Sequence, residues 1–339
     1  MMNTLLSPLQ YLLIFVSLII TPYFLHGFQA KSVIDSPLLT KKIGTNNNVI
    51  LVVDPNGDGD FQSVQAAIDF VPRGNSNWVI IHVKKGVYRE QVHIPGNKPY
   101  IFMRGSGRGK TVIAWSHTSA DAYSQGRILG FWGPVLNGAP QGMGQPSHNQ
   151  SSVAAVVAAD KAGFYSCGFL SSRNTLFDYK GRHYYNHCYI QGSTDSIFDR
   201  GLSMFHGCEI FVVGDKRAEV HSCVTAQHRD SAKEKSGFVF LNGKVYGVGD
   251  VYLGRAKGAY STVVFANTYL SRTVISKGWT NWSHTGHTKH LHHAEYKCHG
   301  PGSATKDRAH WSKQLSEEEA AAFLSIGFIQ GSEWLPAWL

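Results

Sequence analysis

The sequence has few charged residues and no low-complexity segment. Only 16% of the 339 residues are Asp, Glu, Lys or Arg, whereas 43% are hydrophobic, and the 35 glycines and 12 prolines follow no short period. A disordered chain needs high charge and low hydrophobicity, and collagen or a coiled coil needs a regular repeat. The sequence therefore excludes these three classes and leaves enough chain for one large all-β unit or two smaller domains.

Sequence motifs of several enzyme and binding classes are missing as well. There is no GxSxG sequence, which α/β-type serine hydrolases carry, and no CxxC pair for a zinc ribbon or a redox site. Gly105–Thr111 is rich in glycine, but its spacing does not match a phosphate-binding loop. The cysteines are Cys167, Cys188, Cys208, Cys223 and Cys298. Because their number is odd, at least one is unpaired or pairs between chains.

The net charge is positive but not concentrated. Lys and Arg number 32 and Asp and Glu 23, which gives +9 at pH 7. An excess of this size favours polyanions such as nucleic acid, an acidic polysaccharide or a membrane surface. A nucleic-acid-binding protein usually gathers its charge into a stripe, and no dense run of Lys or Arg occurs here. We therefore expect diffuse attraction to an acidic partner and no nucleic acid.

The N-terminal segment has the pattern of a secretory signal peptide. A nearly unbroken apolar run from Tyr11 to Ile20 is shorter than a membrane span requires. No Lys or Arg precedes the run and no clean cleavage site follows it, so an uncleaved anchor is the alternative. We predict a signal peptide at residues 1–30, a leader or linker at residues 31–43 and one folded domain at residues 44–339.

The middle of the chain repeats one pattern. An aromatic residue, a cysteine or small residue and an aliphatic residue recur in the segments 164–169, 185–190, 205–210 and 265–270. The first three segments lie about twenty residues apart, and the fourth follows three such steps later. This recurrence predicts a β-solenoid, in which equivalent positions of successive coils stack into one continuous interior. An ordinary β-sandwich with coincidental spacing is the alternative.

Two segments contain metal-ligand residue types without a complete metal-binding pattern. Asp54–Asp60 matches the first half of a calcium-binding loop, but Gln65 stands where a bidentate Glu is needed. We therefore predict a turn that leads into a helix at Phe61–Phe70. The histidines of segment 284–293 lack an accompanying carboxylate spacing, so we expect a solvated loop there. No metal site is expected in either segment.

A surface helix is predicted near the C-terminus. Ser316 and Glu319 have the spacing of a capping box, and the acidic residues between them suit the positive end of the helix dipole. The helix should continue to about Ser325, and its expected role is structural.

Asp195 remains as the candidate reactive residue. It lies in the segment Gly192–Asp199, and an Asp inside a coil is unfavourable unless it is paired. Arg255, at the end of Tyr252–Arg255, is the obvious partner. From these residues alone, a catalytic carboxylate and a buried ion pair that ties two coils together are equally good interpretations.

Several blocks of the sequence together resemble plant pectinesterases. These blocks are Gly86–Glu90, the cysteine-spaced coils, Asp195–Phe198, Leu253–Arg255 and Phe328–Pro336, within a similarity that covers residues 44–336. The resemblance implies an all-β fold, a single right-handed parallel β-helix of the pectin-lyase type with short terminal helices. It also implies a carboxylic ester hydrolase that acts on the methyl esters of cell-wall homogalacturonan, without a metal or organic cofactor.

The same resemblance implies catalytic roles for three residues. Asp195 matches the nucleophile, and Arg255 matches the residue that holds it. Asn174 stands where the family has a second Asp, which acts first as general acid and then as general base. An amide cannot transfer a proton, and losing general acid–base catalysis typically lowers the rate by about 10²–10⁴.

Four further residues match substrate-binding positions of the family. Ser151 and Arg173 stand in place of two glutamines that stabilise the oxyanion. Ser196 and Lys257 stand in place of an aromatic pair that lines the sugar site. Losing one oxyanion donor lowers the rate by about 10²–10³-fold. The positive charge of Arg173 would restore part of the lost oxyanion stabilisation.

Two functions from different classes follow. The first is a secreted pectinesterase in which Asp195 attacks the galacturonate methyl ester and releases pectate and methanol. The second is a catalytically weak or inactive relative that binds acidic pectin, because the substitutions above remove acid or add positive charge. In either case we expect a monomer in the plant cell wall, with pectin as its partner and no stable membrane insertion after processing. The candidate glycosylation sites Asn149 and Asn281 agree with secretion.

Overall fold

The folded chain is built mainly of short β-strands. The computed structural model describes residues 49–116, 125–129, 134–135, 153–171, 173–214, 222–281 and 288–335. All of these residues belong to one unit, Val49–Leu339. The predicted signal and leader segments lie outside the described residues, as do Asn149 and Ser151.

In chain order, the described strands are β1 (Val49–Val53), β2 (Val79–Val83), β3 (Gly86–Tyr88), β4 (Ile101–Gly105), β5 (Thr111–Ser116), β6 (Gln125–Leu129), β7 (Pro134–Val135), β8 (Ala155–Val157), β9 (Ala162–Tyr165), β10 (Gly168–Leu170), β11 (Leu176–Asp178), β12 (Arg182–Asn186), β13 (Tyr189–Gly192), β14 (Ile197–Asp199), β15 (Leu202–His206), β16 (Glu209–Val212), β17 (Cys223–Gln227), β18 (Gly237–Leu241), β19 (Lys244–Gly247), β20 (Tyr252–Ala256), β21 (Thr262–Ala266), β22 (Tyr269–Leu270), β23 (Trp279–Thr280), β24 (His292–Tyr296) and β25 (Lys313–Gln314). The α-helices are α1 (Val64–Phe70) and α2 (Glu317–Ala320), and 3₁₀ turns occupy Thr288–His290, Ala321–Phe323, Ile326–Ile329 and Gly331–Glu333.

These strands form three sheets within the described residues. Sheet A has the order β1-β2-β4-β7-β9-β12-β15-β18-β21-β24-β25. Sheet B has the order β22-β19-β16-β13-β10-β6-β5-β3, and sheet C the order β23-β20-β17-β14-β11-β8. Antiparallel pairs among the described strands all involve β6 or β7, and the other pairs are parallel.

From β9 to β23, each successive turn of the chain contributes one strand to each sheet. β12, β13 and β14 make one coil, and β15, β16 and β17 make the next. The parallel register places Tyr185 beside Phe205 and Ile190 beside Ile210. The architecture is a parallel β-helix, which confirms the predicted fold class.

The interior contains a continuous column of aromatic rings. Neighbouring rings stack with centroid distances of 5.1, 4.5, 4.6 and 4.4 Å along the series Phe164, Tyr185, Phe205, Phe240 and Phe265. Four of these residues are the ones that the sequence repeat aligned. Each coil contributes one ring, and stacking buries both faces of the inner rings, which no single coil could do alone.

The coils are less regular in length than the sequence predicted. The register places Glu209 beside Lys244 and Lys244 beside Tyr269. Two coils, and not three, therefore lead from Cys208 to Thr268. The sequence is longer between β16 and β17 and between β17 and β18, because connections outside a strand can lengthen without disturbing the strand pairing.

Helix α1 begins later than the sequence predicted. Phe61 forms a bridge with Val53, and Ser63 is the N-cap, with its side chain accepting a hydrogen bond from the Ala66 N–H. The helix buries Val64, Ala67 and Ile68 in the cluster formed by the first strands. Capping by Ser63 therefore sets the start of the helix.

A lysine ammonium lies in the loop that resembles half of a calcium site. The Nζ atom of Lys84 is 2.9 Å from Asp54 Oδ2 and donates to the Asp58 carbonyl at 3.1 Å. The Asn56 N–H donates to Asp54 Oδ1 at 2.9 Å. The hydrogen bond with Lys84 is the main cause of a lowered pKa at Asp54. The Asp54 carboxylate is therefore satisfied by protein groups.

The predicted C-terminal helix is present but short. Ser316 Oγ accepts from the Glu319 N–H at 3.2 Å, and Glu319 Oε2 accepts from the Ser316 N–H at 2.8 Å, which confirms the capping box. The α-helical part ends at Ala320 and continues as a 3₁₀ turn. None of the helices in the described residues is long and apolar enough to cross a membrane.

Replacing Phe240 by Ala should destabilise the fold strongly. The substitution removes a ring stacked on both sides and leaves a cavity in the column, so we expect a loss of about 3–5 kcal/mol in the free energy of unfolding. Val248→Ala, at a residue that is 66% exposed, should change it by less than about 0.5 kcal/mol. Urea unfolding measures the free energy of unfolding of both variants. Equal losses in the two variants would contradict the role of the aromatic column in stability.

Candidate active site

The fold brings Asp195 and Arg255 into direct contact. The register places Phe198 beside Ala226 and Ala226 beside Arg255, so the arginine lies two coils from the strand that follows Asp195. Its side chain folds back across the coil of Ala226. Arg255 Nε donates to Asp195 Oδ1 at 2.8 Å and Nη2 donates to Oδ2 at 2.5 Å. The arrangement is a bidentate pair that joins two coils.

The pair is largely shielded from solvent. The Arg255 and Asp195 side chains are 10% and 12% exposed. Burial acts to lower the pKa of Arg255, but the hydrogen bonds and charge of Asp195 outweigh it and the pKa is raised. The carboxylate is thus held in one orientation with an edge still open to a ligand, a geometry that suits a nucleophile.

Cys223 lies close to this pair but does not act as a second nucleophile. Its side chain is fully buried in β17. Burial, together with the charge of Asp195, raises the pKa of the thiol. Because the thiolate is the reactive form, this cysteine is inert at neutral pH.

Asn174 occupies the position equivalent to Asp195 on the preceding coil. Leu176 is paired with Ile197, and each follows its turn residue by two positions. Asn174 and Asp195 share a left-handed backbone, with φ of 49° and 50°. The Asn174 N–H donates to the Thr194 carbonyl at 3.0 Å. The acid/base position of the resemblance therefore lies one strand spacing, about 4.8 Å, from the predicted nucleophile.

Two polar groups on the turns of Asn174 and Asp195 have no hydrogen-bond partner among the residues that the structure describes. They are Arg173 Nε and Thr194 Oγ1, both shielded from solvent. Arg173 precedes Asn174, and Thr194 precedes Asp195, so the two groups belong to adjacent turns. Buried polar groups are nearly always paired, and these two are therefore available to a ligand. Thr194 is a residue that the sequence analysis did not single out.

Ser196 does not line the surface as predicted. It is 1% exposed. A Cβ placed on Gly192 would lie 2.7 Å from its Oγ, which shows how closely the turn packs around it. The tight turn before β14 buries this residue, so its side chain is not exposed to a sugar in this structure.

Two phenylalanines form the aromatic surface near the pair. Phe177 and Phe198 stack with a centroid distance of 4.7 Å and an interplanar angle of 13°. The Nζ atom of the exposed Lys257 lies 5.7 Å from the centre of the Phe198 ring. Sequence reasoning missed both rings, although each follows its turn residue, Asn174 or Asp195, at the same spacing.

Asp199 is a further carboxyl group near Lys257. Burial raises its pKa, and the charges of Lys257, His228 and Arg200 act in the opposite direction. Arg200 Nε is 4.0 Å from Asp199 Oδ1. No sequence motif singles out this residue, because its pKa depends on neighbours from other coils.

A second constellation contains Ser, His and Asp but is structural. Asp178 Oδ1 accepts from Ser203 Oγ at 2.7 Å and lies 3.0 Å from His183 Nδ1, while Asp178 Oδ2 accepts from Tyr185 at 2.7 Å. His183 Nε2 lies 2.7 Å from the Ala159 carbonyl, so both ring nitrogens face acceptors. Asp178, His183 and Ser203 are fully buried, and the serine donates to the aspartate, so no triad is present.

His290, His292 and His293, the histidines of the 284–293 segment that the structure describes, make separate contacts. His290 stacks on Tyr260 at 4.7 Å, and His292 stacks near Phe323 at 5.3 Å. His293 is buried and lies 2.9 Å from Ser261 Oγ. His284 and His287 are outside the described residues. Within the described residues, no group of three or more His, Cys, Asp or Glu side chains could hold a metal ion.

The fold and the carboxylate–guanidinium pair beside sheet C define a parallel β-helix protein with a fixed carboxylate, and the comparisons with known proteins identify its family. A sequence profile of the pectinesterase family matches residues 50–332. Probable pectinesterase 67 of Arabidopsis thaliana is 57% identical over 91% of each chain, and putative pectinesterase 11 of the same plant is 40% identical over 85% of this chain and 81% of its own. The chain belongs to the pectinesterase family.

Solved structures agree with this assignment. Pectin methylesterase from carrot superposes with a TM-score of 0.72 and 26% identity, over 84% of this chain and 94% of the carrot chain. Pectin methylesterase from Aspergillus niger has a TM-score of 0.67 at 24% identity, over 86% of this chain and 97% of the fungal one. The fungal similarity supports the fold alone.

A double-mutant cycle should show that Asp195 and Arg255 stabilise each other. Asp195→Asn and Arg255→Gln each leave the partner charge buried and unpaired, so each should lower the free energy of unfolding by about 3–5 kcal/mol. The double variant should lose clearly less than the sum of the two. Urea unfolding of the four proteins gives the coupling, and additive losses would contradict it.

Stability should depend on pH through His183. Burial acts to lower its pKa, but the charge and hydrogen bond of Asp178 raise it above the ordinary value. A raised folded pKa means that the stabilisation is complete below about pH 6.5 and is lost as the pH rises through the folded pKa. The wild type should therefore lose more stability between about pH 6 and pH 9 than His183→Gln does.

Urea unfolding at several pH values checks this slope. The matched control is His310→Gln at an exposed histidine, which should keep the wild-type slope. A slope that survives in His183→Gln would assign the pH dependence to another group.

Proposed function

We propose that this chain hydrolyses the methyl esters of homogalacturonan, with Asp195 as the nucleophile. The observation that carries the proposal is the bidentate pair, in which Arg255 holds both carboxylate oxygens of Asp195 at 2.8 and 2.5 Å. This pair lies on a parallel β-helix that belongs to the pectinesterase family. A carboxylate fixed by a guanidinium can approach an ester carbon along a defined direction.

The reaction has two steps. An oxygen of Asp195 attacks the carbonyl carbon of the ester, the bond to the methoxy oxygen breaks, and methanol leaves with a proton taken from water. The hydroxide ion left by that water then attacks the resulting acyl anhydride, which releases the galacturonate carboxylate, restores the Asp195 carboxylate and gives one proton to the solvent. Arg255 keeps the nucleophile in place during both steps.

The amide of Asn174 limits proton transfer in this site. Asn174 can donate a hydrogen bond, but it cannot transfer a proton to methoxide, so water must do so. The unpaired Nε of Arg173 compensates in part, because a charged donor stabilises the oxyanion that forms at the ester carbonyl. We therefore expect slow hydrolysis.

The substrate class and the location agree with the family. A pectin methylesterase of this fold, 20% identical with a TM-score of 0.63, has been solved in complex with a hexasaccharide. We infer that the partner of the present chain is methylesterified pectin. The predicted signal peptide would direct the protein to the cell wall, where that polymer is found.

Binding without turnover is the second candidate function. Asn174 removes the acid at the catalytic position, and Arg173 and Lys257 add positive charge beside it. A site with these properties would hold de-esterified galacturonan electrostatically without cleaving esters, and the binding would weaken with salt.

Methanol release from methylesterified pectin decides between the two functions. The wild type should release methanol slowly, and Asn174→Asp should raise the rate on the order of 10²–10⁴-fold by restoring an acid and base. The left-handed backbone already suits either residue, so the substitution leaves the turn intact. Asp195→Asn should release none.

A matched control is Asn242→Asp, at another left-handed turn asparagine with φ of 56° that lies between sheets A and B. It should leave the rate unchanged. If the wild type releases no methanol above a buffer blank, the hydrolytic proposal fails for the native chain. Salt-sensitive binding to de-esterified galacturonan would then support the second function, and its absence would oppose both.

A further inference from the structure

Lys257 is a cation close to the nucleophile, and it forms no salt bridge with any carboxylate in the part of the chain that the structure describes. It is the first residue after β20 and follows Arg255 by two positions. The Arg255 guanidinium is paired with Asp195. The Lys257 backbone N–H donates to the Gln227 carbonyl at 3.1 Å, and its ammonium approaches the ring of Phe198. The ammonium can therefore bind an external anion.

The side chain of Lys257 is directed toward the coil of Asp195. Phe198, Ala226 and Arg255 occupy one register column across three strands of sheet C. Lys257 Nζ lies 5.7 Å from the ring centre of Phe198, so the side chain folds back across the intervening coil. The charge is thus placed in the same coil as the nucleophile.

The distance between charge and nucleophile suits a neighbouring sugar unit. Phe198 follows Asp195 by three residues, which span at most about 10 Å in an extended chain. This span is comparable to the length of one or two pyranose rings. A galacturonan chain with one ester at Asp195 would therefore bring a nearby carboxyl group to Lys257.

The nearby carboxylate of Asp199 does not form an ion pair with the Lys257 ammonium. Asp199 attracts Lys257 electrostatically, but the two do not form a salt bridge. Asp199 is itself partly buried, and Arg200 lies 4.0 Å from its Oδ1. A substrate carboxylate that approaches from the exposed side can therefore reach the ammonium without displacing an internal ion pair.

We propose that Lys257 selects a free galacturonate carboxylate next to the ester that Asp195 attacks, so that the preferred substrate is partly de-esterified homogalacturonan. The inference rests on the proposed function for the identity of the polymer. The discrimination comes from charge, because a free carboxylate carries a negative charge and its methyl ester carries none. Lys257 would act as a specificity residue and not as part of the bond-breaking machinery.

Binding of two matched oligomers tests the proposal without requiring turnover. Hexagalacturonic acid and its fully methylesterified form are titrated into wild type and Lys257→Ala by calorimetry, at an ionic strength of about 10 mM. The substitution should weaken binding of the acid roughly threefold to tenfold and leave binding of the ester within about twofold. Lys257→Arg should retain the preference for the acid.

The control is Lys233→Ala, at an exposed lysine in the loop after β17, which should leave both affinities unchanged. Equal weakening of both oligomers by Lys257→Ala, or no weakening of the acid, would overturn the proposal. Initial rates of methanol release on partly and fully esterified pectin separate it from the proposed function. Turnover with an unchanged substrate ratio refutes the role of Lys257 alone, whereas charge-selective binding without turnover refutes hydrolysis alone.

Discussion

In-register stacking of parallel coils is the constraint on which the rest of the structure depends. Each coil is too short to bury its own interior, and the aromatic column is complete only when neighbouring coils are aligned. The same alignment fixes the positions of polar side chains on the outside of sheet C. A slip of one residue would turn both sets of side chains to the wrong face.

The candidate site is a direct product of that alignment. Asn174 and Asp195 occupy equivalent turns of consecutive coils, and Arg255 reaches Asp195 from two coils away. The three residues are distant in sequence but adjacent in space because one strand spacing separates neighbouring coils. The paired cation neutralises the buried carboxylate, whereas Arg173 and Lys257 form no salt bridge with the carboxylates that the structure describes. The surface around the nucleophile is therefore suited to an acidic polymer.

Sequence reasoning predicted the parts of this protein that repeat. The aromatic positions at 164, 185, 205 and 265 predict a β-solenoid, and the resemblance to pectinesterases specifies a parallel β-helix. Arg255 is the candidate partner of Asp195 in the sequence, and the structure shows the two in contact. Phe240 was missed because the coil before it carries an extra loop, which breaks the regular spacing.

The other differences between the sequence-based expectations and the structure concern residues whose properties depend on side-chain direction or burial. Ser196 stands at a matching position, yet a tight turn beside Gly192 directs it inward. The raised pKa of Asp199 results from burial among residues of other coils, which no local pattern reveals. Ser151, at one of the predicted oxyanion positions, lies outside the described residues, and its role stays a prediction.

The unequal lengths of the coils have an evolutionary consequence. The two long connections flank β17, which is the strand between the one that follows Asp195 and the one that carries Arg255. Insertions or deletions in such connections leave the hydrogen-bonded ladder between the strands the same. Relatives with this fold can therefore change the length of a connection while they keep the strands that hold a carboxylate and its guanidinium partner in register.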